Sequence, residues 1–552
     1  MVIVLLNWLY VTVTVFGLGV GVAAFVKKAF GYRIKNIDSL LMAGLIVTCA
    51  YAQFFSLAYK VSLLCNVIMV IVALILLLWN RKPAGEYLSD LWHHTTWKRK
   101  LVVAVLVLIW AYFSSRGYIH YDSDLYHAQS IRWLEEYGVV PGLGNLHERF
   151  AYNSSSFALN ALYSWAFMLP QSLHTMSGYH ALVLNIAVLD IAKVVKRRRM
   201  LVSDFGCVAA IYYLTTITEE VVSPASDYSI MCVILWIVIH WLRILEEDRE
   251  KDGLQSIVPY ALLCVVGCYA VTLKLTAGLI LIVLWKPATY LIKEKKWKDI
   301  GIYICMGLLV VAPWMIRTVV ISGWLLYPFS ALDIFNFDWE MSKEVVDFDS
   351  ACVKSWGKAI YDATRADAPI REWFGNWFHA TLSGTEKLLI LADFTCIPVM
   401  LVLGIVALLK KNKELGEYFL VLLAMAASFL FWLNSAPLMR YGYSHVLLLT
   451  FITVGVLLQR IKGNYFVFFV ISAYGVYKLF TQVDYIMDSR YAPYYLWQQD
   501  YNTYELNTYE VGGITFYSPV GGDRTGYESF PAAPGSNHIQ LRGETLEEGF
   551  RR

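Results

Sequence analysis

Apolar runs long enough to cross a membrane as helices recur from residue 1 to about residue 478, and they constrain the fold more than any other feature. Hydrophobic residues make up 58% and charged residues 16% of the chain, and the mean hydropathy is +0.51, which excludes an ordinary soluble globular protein. Lipid cannot hydrogen-bond to the backbone, so each run must form a helix, and no alternating pattern favours a barrel. The sequence therefore predicts an all-α polytopic membrane protein.

Basic residues cluster in stretches between the apolar runs, and these stretches predict the orientation. They lie at 27–35, 81–100, 193–199, 243–251, 293–298, 410–413 and 460–462. Placing all of them in the cytoplasm requires about fourteen transmembrane helices, with both termini outside. The spans are predicted near 2–26, 39–59, 61–79, 101–115, 178–193, 203–218, 227–245, 300–316, 388–409, 416–434, 444–459 and 464–480, together with the stretch 257–285, which must split into two short helices meeting near Lys274.

The apolar runs divide the chain into a transmembrane helix bundle over 1–480 and a small outer C-terminal region over 481–552. Two outer loops, 114–177 and 317–387, are expected to carry the active face. Within the first loop, residues 130–137 are typical of a short helix ending at Gly138. In the C-terminal region, residues 513–517 have the pattern of a strand.

The stretch His120-Tyr-Asp122-Ser-Asp124-Leu-Tyr-His127 directly follows an apolar run and places two carboxylates and two histidines at the bilayer surface. Such a group suits acid–base or phosphate chemistry at the boundary between water and lipid. We expect Asp122 or Asp124 to act as a catalytic base, with His127 as a third catalytic candidate. Two alternatives remain open: both carboxylates hold a divalent metal, or either Asp caps the following helix.

Further charged residues are predicted at the same face, in excess of what packing needs, and a charge within a membrane span is a functional hypothesis by default. Lys274, Arg317 and Arg440 would neutralise a lipid phosphate, Arg through a bidentate fork and Lys as a point charge. Glu220 and Asp227, in the string TEEVVSPASDYS, complete the predicted binding set. The structural alternatives are snorkelling of Lys274, interfacial anchoring by the arginines, solvated loop charges, and a helix cap at Asp227.

An acidic residue in the first large outer loop, short paired helices and outer basic residues resemble the GT-C superfamily of polyprenyl-phosphate-dependent glycosyltransferases. More narrowly, the chain resembles a family of uncharacterised bacterial membrane proteins. The segments that carry this resemblance are YDSDLYHAQSIRWLEEYGVVPGLGNLHERFAYNSS, SPASD, TLKLTA, IRTVVISGWLLYPF and LRGETLEEGFRR. The resemblance implies a GT-C-like fold, a base at Asp122, and phosphate binding by Lys274 and Arg440. It counts against a metal site, because that family tolerates a non-acidic residue at the position of Asp124.

The resemblance also implies a function: an inverting glycosyltransferase that moves a sugar from a polyprenyl-phosphate donor to a glycan, lipid or protein acceptor. The reaction would take place on the periplasmic face of a bacterial inner membrane. Apart from the alternative of a divalent metal at Asp122 and Asp124, no cofactor is expected. A nucleic acid is not expected as a partner. The alternatives are an O-antigen polymerase or ligase, and a transporter or flippase of lipid-linked glycans. One-sided charges and the lack of an inverted hydropathy repeat favour an enzyme over a transporter.

Overall fold

The computed structural model describes residues 1–487, 491–535 and 539–552, and within these ranges the chain is mostly helical. The first half forms α1 (Val2–Phe30), α2 (Ile37–Ser56), α3 (Leu63–Trp79), α4 (Arg81–His93), α5 (Trp97–Phe113), α6 (Ala128–Glu136), α7 (Leu143–Leu146), α8 (Ser155–Tyr163), α9 (Met176–Val188), α10 (Lys193–Arg197), α11 (Val202–Thr216) and α12 (Ser226–Glu250). The second half forms α13 (Val258–Leu273), α14 (Trp285–Lys293), α15 (Trp297–Ser322), α16 (Lys343–Gly357), α17 (Ile370–Ala380), α18 (Gly384–Leu409), α19 (Lys413–Ser435), α20 (Met439–Leu458) and α21 (Phe466–Met487). Four short strands follow: β1 (Leu506–Val511), β2 (Ile514–Pro519), β3 (Gln540–Leu541) and β4 (Phe550–Arg551).

Nine helices within the described residues are long and apolar enough to cross a membrane, or ten if α3 and α4 form one bent span. The helical, multi-pass architecture therefore agrees with the sequence, but the predicted number of about fourteen spans is not reached. Each predicted segment does lie on a helix. Five predicted spans are missing from the nine: α3 turns by 87° into α4, α5, α11 and α13 have only 17, 15 and 16 residues, and within α21 only Phe466–Gly475 counts as an apolar helix among the described residues. A straight span needs about 20 residues.

The basic loops gather at one end of the bundle, which we call the basic end. Ion pairs join neighbouring loops there: Arg33 with Asp90, Lys35 with Glu247, Arg99 with Asp190, and both Arg249 and Arg460 with Glu414. The loops 114–177, 217–225 and 323–383 lie at the opposite end, which we call the loop end. Successive helices therefore alternate in direction, as the charge pattern predicts.

The break at Lys274 has the predicted form of a hairpin. Helix α13 ends at Leu273, Lys274 is extended (φ −155°, ψ 123°), and a 3-10 helix over Leu275–Leu284 leads into α14. The two arms pack closely, because a Cβ atom on Gly267 would lie 2.7 Å from Cδ2 of Leu281. Lys274 is thus the residue at the tip of the hairpin, at the loop end.

The C-terminal region packs on the loop end. Helix α21 continues to Met487, so the helical bundle extends beyond the predicted boundary at 480. The predicted strand at 513–517 lies in β2, which pairs with β1 across Gly512 and Gly513, both with positive φ. A second core joins this region to α6 through the fully buried residues Trp133, Phe516 and Phe550. The predicted short helix at 130–137 is confirmed as α6, and Gly138 follows it with φ 90°.

Candidate functional site

Four charged side chains from four separate segments meet at the loop end. Nη2 of Arg440 donates to Oδ2 of Asp122 at 2.5 Å, and Nε of Arg440 lies 3.5 Å from Oδ2 of Asp227. Nζ of Lys274 donates to Oδ1 of Asp227 at 2.5 Å. We call Asp122, Arg440, Asp227 and Lys274 the charge cluster. The sequence predicted all four as site residues, and the structure brings them into one connected set.

Two further side chains surround the charge cluster. Nη1 of Arg440 contacts the imidazole of His120, whose Nδ1 also accepts a hydrogen bond from the backbone N–H of Asp122 at 3.1 Å. Nζ of Lys274 lies 3.2 Å from the ring centroid of Tyr441, and the Tyr441 hydroxyl accepts from Nη2 of Arg440 at 2.8 Å. The aromatic face and the carboxylates together hold both cations in fixed positions.

Three of the four side chains of the charge cluster are partly exposed. The side chains of Asp122, Arg440 and Lys274 are 20%, 24% and 23% exposed, whereas that of Asp227 is 8% exposed. Three of the four groups are therefore accessible from outside. Asp227 lies beneath them and holds the two cations near each other.

Local structure explains how Asp122 reaches the charge cluster. It immediately precedes a π-helical turn, Ser123–His127, that runs directly into α6. Its side chain makes no capping hydrogen bond, and neither does Asp124 cap α6, so the alternative that either Asp serves as a helix cap is wrong. Single π-helical turns within helices are rare and are frequently found at functional sites.

Two members of the charge cluster lie in the first turns of helices. Asp227 lies in the first turn of α12, where the helix dipole stabilises a carboxylate. The N-cap residue of α12 is Ala225, and the side chain of Asp227 makes no capping hydrogen bond. Arg440 lies in the first turn of α20, where a cation is disfavoured. Helix stability therefore does not account for Arg440 at that position. The carboxylates of Asp122 and Asp227 offset the unfavourable placement.

The charge cluster sets the protonation of its own members in the loop 114–177. Burial alone would raise the pKa of Asp122, but Arg440, assisted by His120, outweighs burial and lowers it to about 2. Burial, with Arg440 next, lowers the pKa of His120 to about 4. Asp122 is therefore ionised and His120 neutral at pH 7. Two carboxylates then balance two cations, so the charge cluster is neutral overall.

Asp124 lies apart from the charge cluster and anchors the C-terminal region. Its Oδ2 accepts from Nδ2 of Asn502 and from the hydroxyl of Tyr504, each at 2.7 Å. Its backbone carbonyl accepts from the N–H groups of Thr525 and Gly526. Asp124 is 1% exposed, and burial raises its pKa. This position favours a structural role over a catalytic one.

His127 is also buried away from Arg440. Its Nδ1 lies 3.2 Å from Oγ of Ser123, and its ring packs against Tyr126 and Phe157. Burial lowers the pKa of His127 to about 3, so it is neutral. These contacts favour a packing role for His127 within the loop over a catalytic one.

The remaining predicted binding residues are not joined to the charge cluster. Glu220 accepts a hydrogen bond from the hydroxyl of Tyr228 at 2.7 Å. Arg317, near the end of α15, is 2% exposed and lines a small cavity beside Asn153 and Phe157. Its Nε and Nη1 atoms have no hydrogen-bond partner among the described residues. The structure thus does not bring Arg317 to the phosphate-binding position that the sequence predicted.

The residues present do not fit a metal shared by Asp122 and Asp124, because the two carboxylates face different neighbours. Across residues 1–487, 491–535 and 539–552, no group of three or more His, Cys, Asp or Glu side chains is placed to hold a metal ion. The DxD-type metal alternative therefore has no support in the donor geometry.

Tyr441 and Arg149 escaped prediction as site residues, and His120 was named in the predicted stretch without a role of its own. His120 and Tyr441 contact Arg440 directly. Arg149 lies 3.3 Å from Asp349 and is close enough to contribute to the low pKa of Asp122. Tyr441 directly follows the predicted residue Arg440 in sequence, which was the available signal. Arg149 and Asp349 come from separate outer loops, and no local pattern connects them.

The fold and its apolar helices define a multi-pass membrane protein with a charged site at one end of the bundle. The chain belongs to the family DUF8201, described as a domain of unknown function, whose family model matches residues 1–447. That match covers the whole charge cluster. No curated protein matches the chain. No solved structure matches it either.

Proposed function

We propose that this protein is an integral-membrane glycosyltransferase of the GT-C type. It moves a sugar from a polyprenyl-phosphate donor to a cell-envelope acceptor, with inversion, on the periplasmic side of a bacterial inner membrane. The observation that carries the proposal is the convergence of Asp122, Asp227, Lys274 and Arg440 at the loop end. It combines two cations suited to a phosphate with a partly exposed carboxylate in direct contact with one of them.

The location of the charge cluster suits a lipid phosphate. The N-termini of α12 and α20 provide partial positive charge beside Lys274 and Arg440, an arrangement that favours phosphate. The charge cluster also lies at the ends of long apolar helices, and we expect such ends to lie at the depth of lipid headgroups. A soluble anion needs no such depth, whereas a polyprenyl phosphate presents its charge at that level.

Donor binding would change the state of Asp122. Without a ligand, the two carboxylates satisfy both cations. The donor phosphate brings negative charge that competes for Arg440 and Lys274. Once Arg440 turns to the phosphate, its positive charge no longer lowers the pKa of Asp122 as strongly. The pKa of Asp122 then rises from about 2. Asp122 then becomes a stronger base only when the donor is bound.

The transfer step is a single displacement. Asp122 takes the proton from an acceptor hydroxyl, and the acceptor oxygen forms a bond to the anomeric carbon of the sugar. The bond between that carbon and the phosphate oxygen breaks, and the polyprenyl phosphate leaves with the electron pair. Lys274 and Arg440 stabilise the negative charge that develops on the phosphate. Asp227 positions both cations.

The test measures donor-lipid binding and transfer separately, using purified protein in nanodiscs. Undecaprenyl phosphate is titrated and its binding is followed by native mass spectrometry. We expect Lys274→Gln and Arg440→Gln each to weaken binding by roughly 10- to 100-fold, because each removes a charge-assisted hydrogen bond. Failure of the wild-type protein to bind undecaprenyl phosphate would overturn the proposal.

The transfer arm uses Asp122→Asn. Membranes are supplied with a mixture of undecaprenyl-phosphate sugars, and release of undecaprenyl phosphate is measured. We expect Asp122→Asn to bind the lipid but release none, while remaining folded and membrane-inserted. The matched control is Asp362→Asn, an exposed carboxylate in the loop 323–383 that bonds only within its own turn. Release by Asp122→Asn at the wild-type rate contradicts the base assignment and makes Asp227 the next candidate.

A further inference from the structure

A long apolar groove opens in the half of the bundle that is distant from the charge cluster. It has a volume of about 950 Å³ and lies between α1, α2, α12, α13 and α15. On α15 the lining runs from Lys298 to Val310, about 18 Å at the rise of an α-helix. One leaflet of a bilayer core is about 15 Å deep. Along α15 the groove therefore has about the depth of one leaflet, and along α2 its lining extends further, from Ser39 to Phe54, about 22 Å.

The mouth of the groove at the basic end is positively charged. Lys35 and Lys298 line it, and Glu247 is the carboxylate between them, whereas the guanidinium of Arg243 is turned to the backbone carbonyl of Ala187. Glu247 is already engaged, because its Oε1 accepts from Lys35 at 3.0 Å and from Lys251 at 2.6 Å. Cations therefore outnumber carboxylates at the mouth. Basic pockets between membrane helices are suited to anionic lipid headgroups.

We propose that this groove binds one anionic phospholipid of the adjacent leaflet. Its phosphate lies against Lys35 and Lys298, and an acyl chain extends along α15 toward Val310. The apolar lining matches the acyl chain, and the excess of cations at the mouth matches the headgroup. This site is separate from the charge cluster and does not depend on the proposed function, because no charge-cluster residue lines the groove.

The groove offers a position at which it can be filled without disturbing packing. Gly301 lines it, and a Cβ atom built on Gly301 would meet nothing within 4 Å. Gly301→Phe therefore places a ring in the groove while α15 stays intact. Gly416 in α19 is the matched control, since its Cβ would also meet nothing within 4 Å and it does not line the groove.

The experiment uses the full chain, stripped of lipid in detergent and then incubated with mixed vesicles of phosphatidylglycerol and phosphatidylcholine. Retained lipid is measured by mass spectrometry after repurification. We expect wild-type protein and Gly416→Phe to retain phosphatidylglycerol in preference to phosphatidylcholine by roughly tenfold or more. Gly301→Phe should lose the retained lipid.

A second variant leaves the helix packing unchanged. The double variant Lys35→Gln, Lys298→Gln should still retain lipid but lose the preference for phosphatidylglycerol. Its control is the double variant Lys410→Gln, Lys411→Gln, at exposed positions of the same end, which should keep that preference. Equal retention of both lipids by the wild-type protein would overturn the anionic headgroup. Undiminished retention by Gly301→Phe would overturn the groove as the site, as would a preference that survives loss of both lysines.

Discussion

Arg440 lies between two carboxylates, and its position determines what the neighbouring residues can do. It contacts Asp122, approaches Asp227, and occupies the first turn of α20, where the helix dipole disfavours a cation. Asp122 in turn owes its low pKa mainly to Arg440. The proposed exchange of Asp122 for a donor phosphate at Arg440 would account for a cation at this helix position.

Asp124 is expected to hold the C-terminal region rather than to take part in transfer. Asp124→Ala leaves Nδ2 of Asn502 and the hydroxyl of Tyr504 without their acceptor, which costs about 1–3 kcal/mol. We expect faster proteolysis within residues 499–535, measured by limited digestion, with binding of undecaprenyl phosphate unchanged. Asp362→Ala serves as the control. Loss of lipid binding without faster digestion would return Asp124 to the site.

The stability of the protein is expected to fall as the pH drops from about 6.5 toward 4, in part through His120. The pKa of this histidine is lowered from 6.5 to about 4 by burial and by Arg440. The unfolded chain therefore binds the proton more readily than the folded one, and stability is lost as the pH falls through that interval. The thermal midpoint should decline less steeply for His120→Gln than for the wild-type protein. Parallel declines would show that His120 is not held neutral.

At the scale of elements, the sequence predicts the location of helices better than the number that cross the membrane. Periodicity and hydropathy place a helix at each apolar run, and the extended residue Lys274 interrupts the run of 257–285 as charge alternation requires. Short helices such as α11 and the bend between α3 and α4 are not encoded in composition. They depend on how neighbouring helices pack.

The site could also be predicted only in part. Asp122, Asp227, Lys274 and Arg440 were found because topology assigns them to one face, and a charge near a membrane needs a partner. Spacing could not separate Asp122 from Asp124, because the π-turn that follows directs them to different neighbours. Arg317 satisfied the same topological criterion as Arg440, yet its side chain is buried near Asn153.

The strand β4 is expected to be the main anchor of the C-terminal region. Phe550 is fully buried against Trp133 and Phe516, and its backbone N–H donates to the carbonyl of Pro141. Phe550→Ala removes a buried aromatic ring, which typically costs about 3–5 kcal/mol. We expect residues after 491 to exchange amide hydrogens faster, measured by mass spectrometry, with the helices of the bundle unaffected. Unchanged exchange would assign the anchoring to Asp124 and β1 instead.

At the scale of the whole molecule, charge is distributed unequally between the two ends of the bundle. The basic end carries the predicted cytoplasmic loops, joined by ion pairs such as Lys35 with Glu247. The loop end carries a neutral charge cluster and most of the residues outside the helices. This asymmetry is what the positive-inside rule uses, and it predicts that the basic end faces the cytoplasm. The orientation determines which compartment supplies the acceptor.

Cysteine labelling in intact cells tests that orientation. Tyr361 is 72% exposed at the loop end, and Lys411 is exposed at the basic end. A maleimide that cannot cross the membrane should label Tyr361→Cys in intact cells, but Lys411→Cys only after permeabilisation. Both variants are made in a parent protein that carries Cys352→Ser, because Cys352 is a partly exposed cysteine in the loop 323–383. The reverse labelling pattern would place the charge cluster in the cytoplasm, where the acceptor would have to be a cytoplasmic molecule and a periplasmic glycan transfer would be impossible.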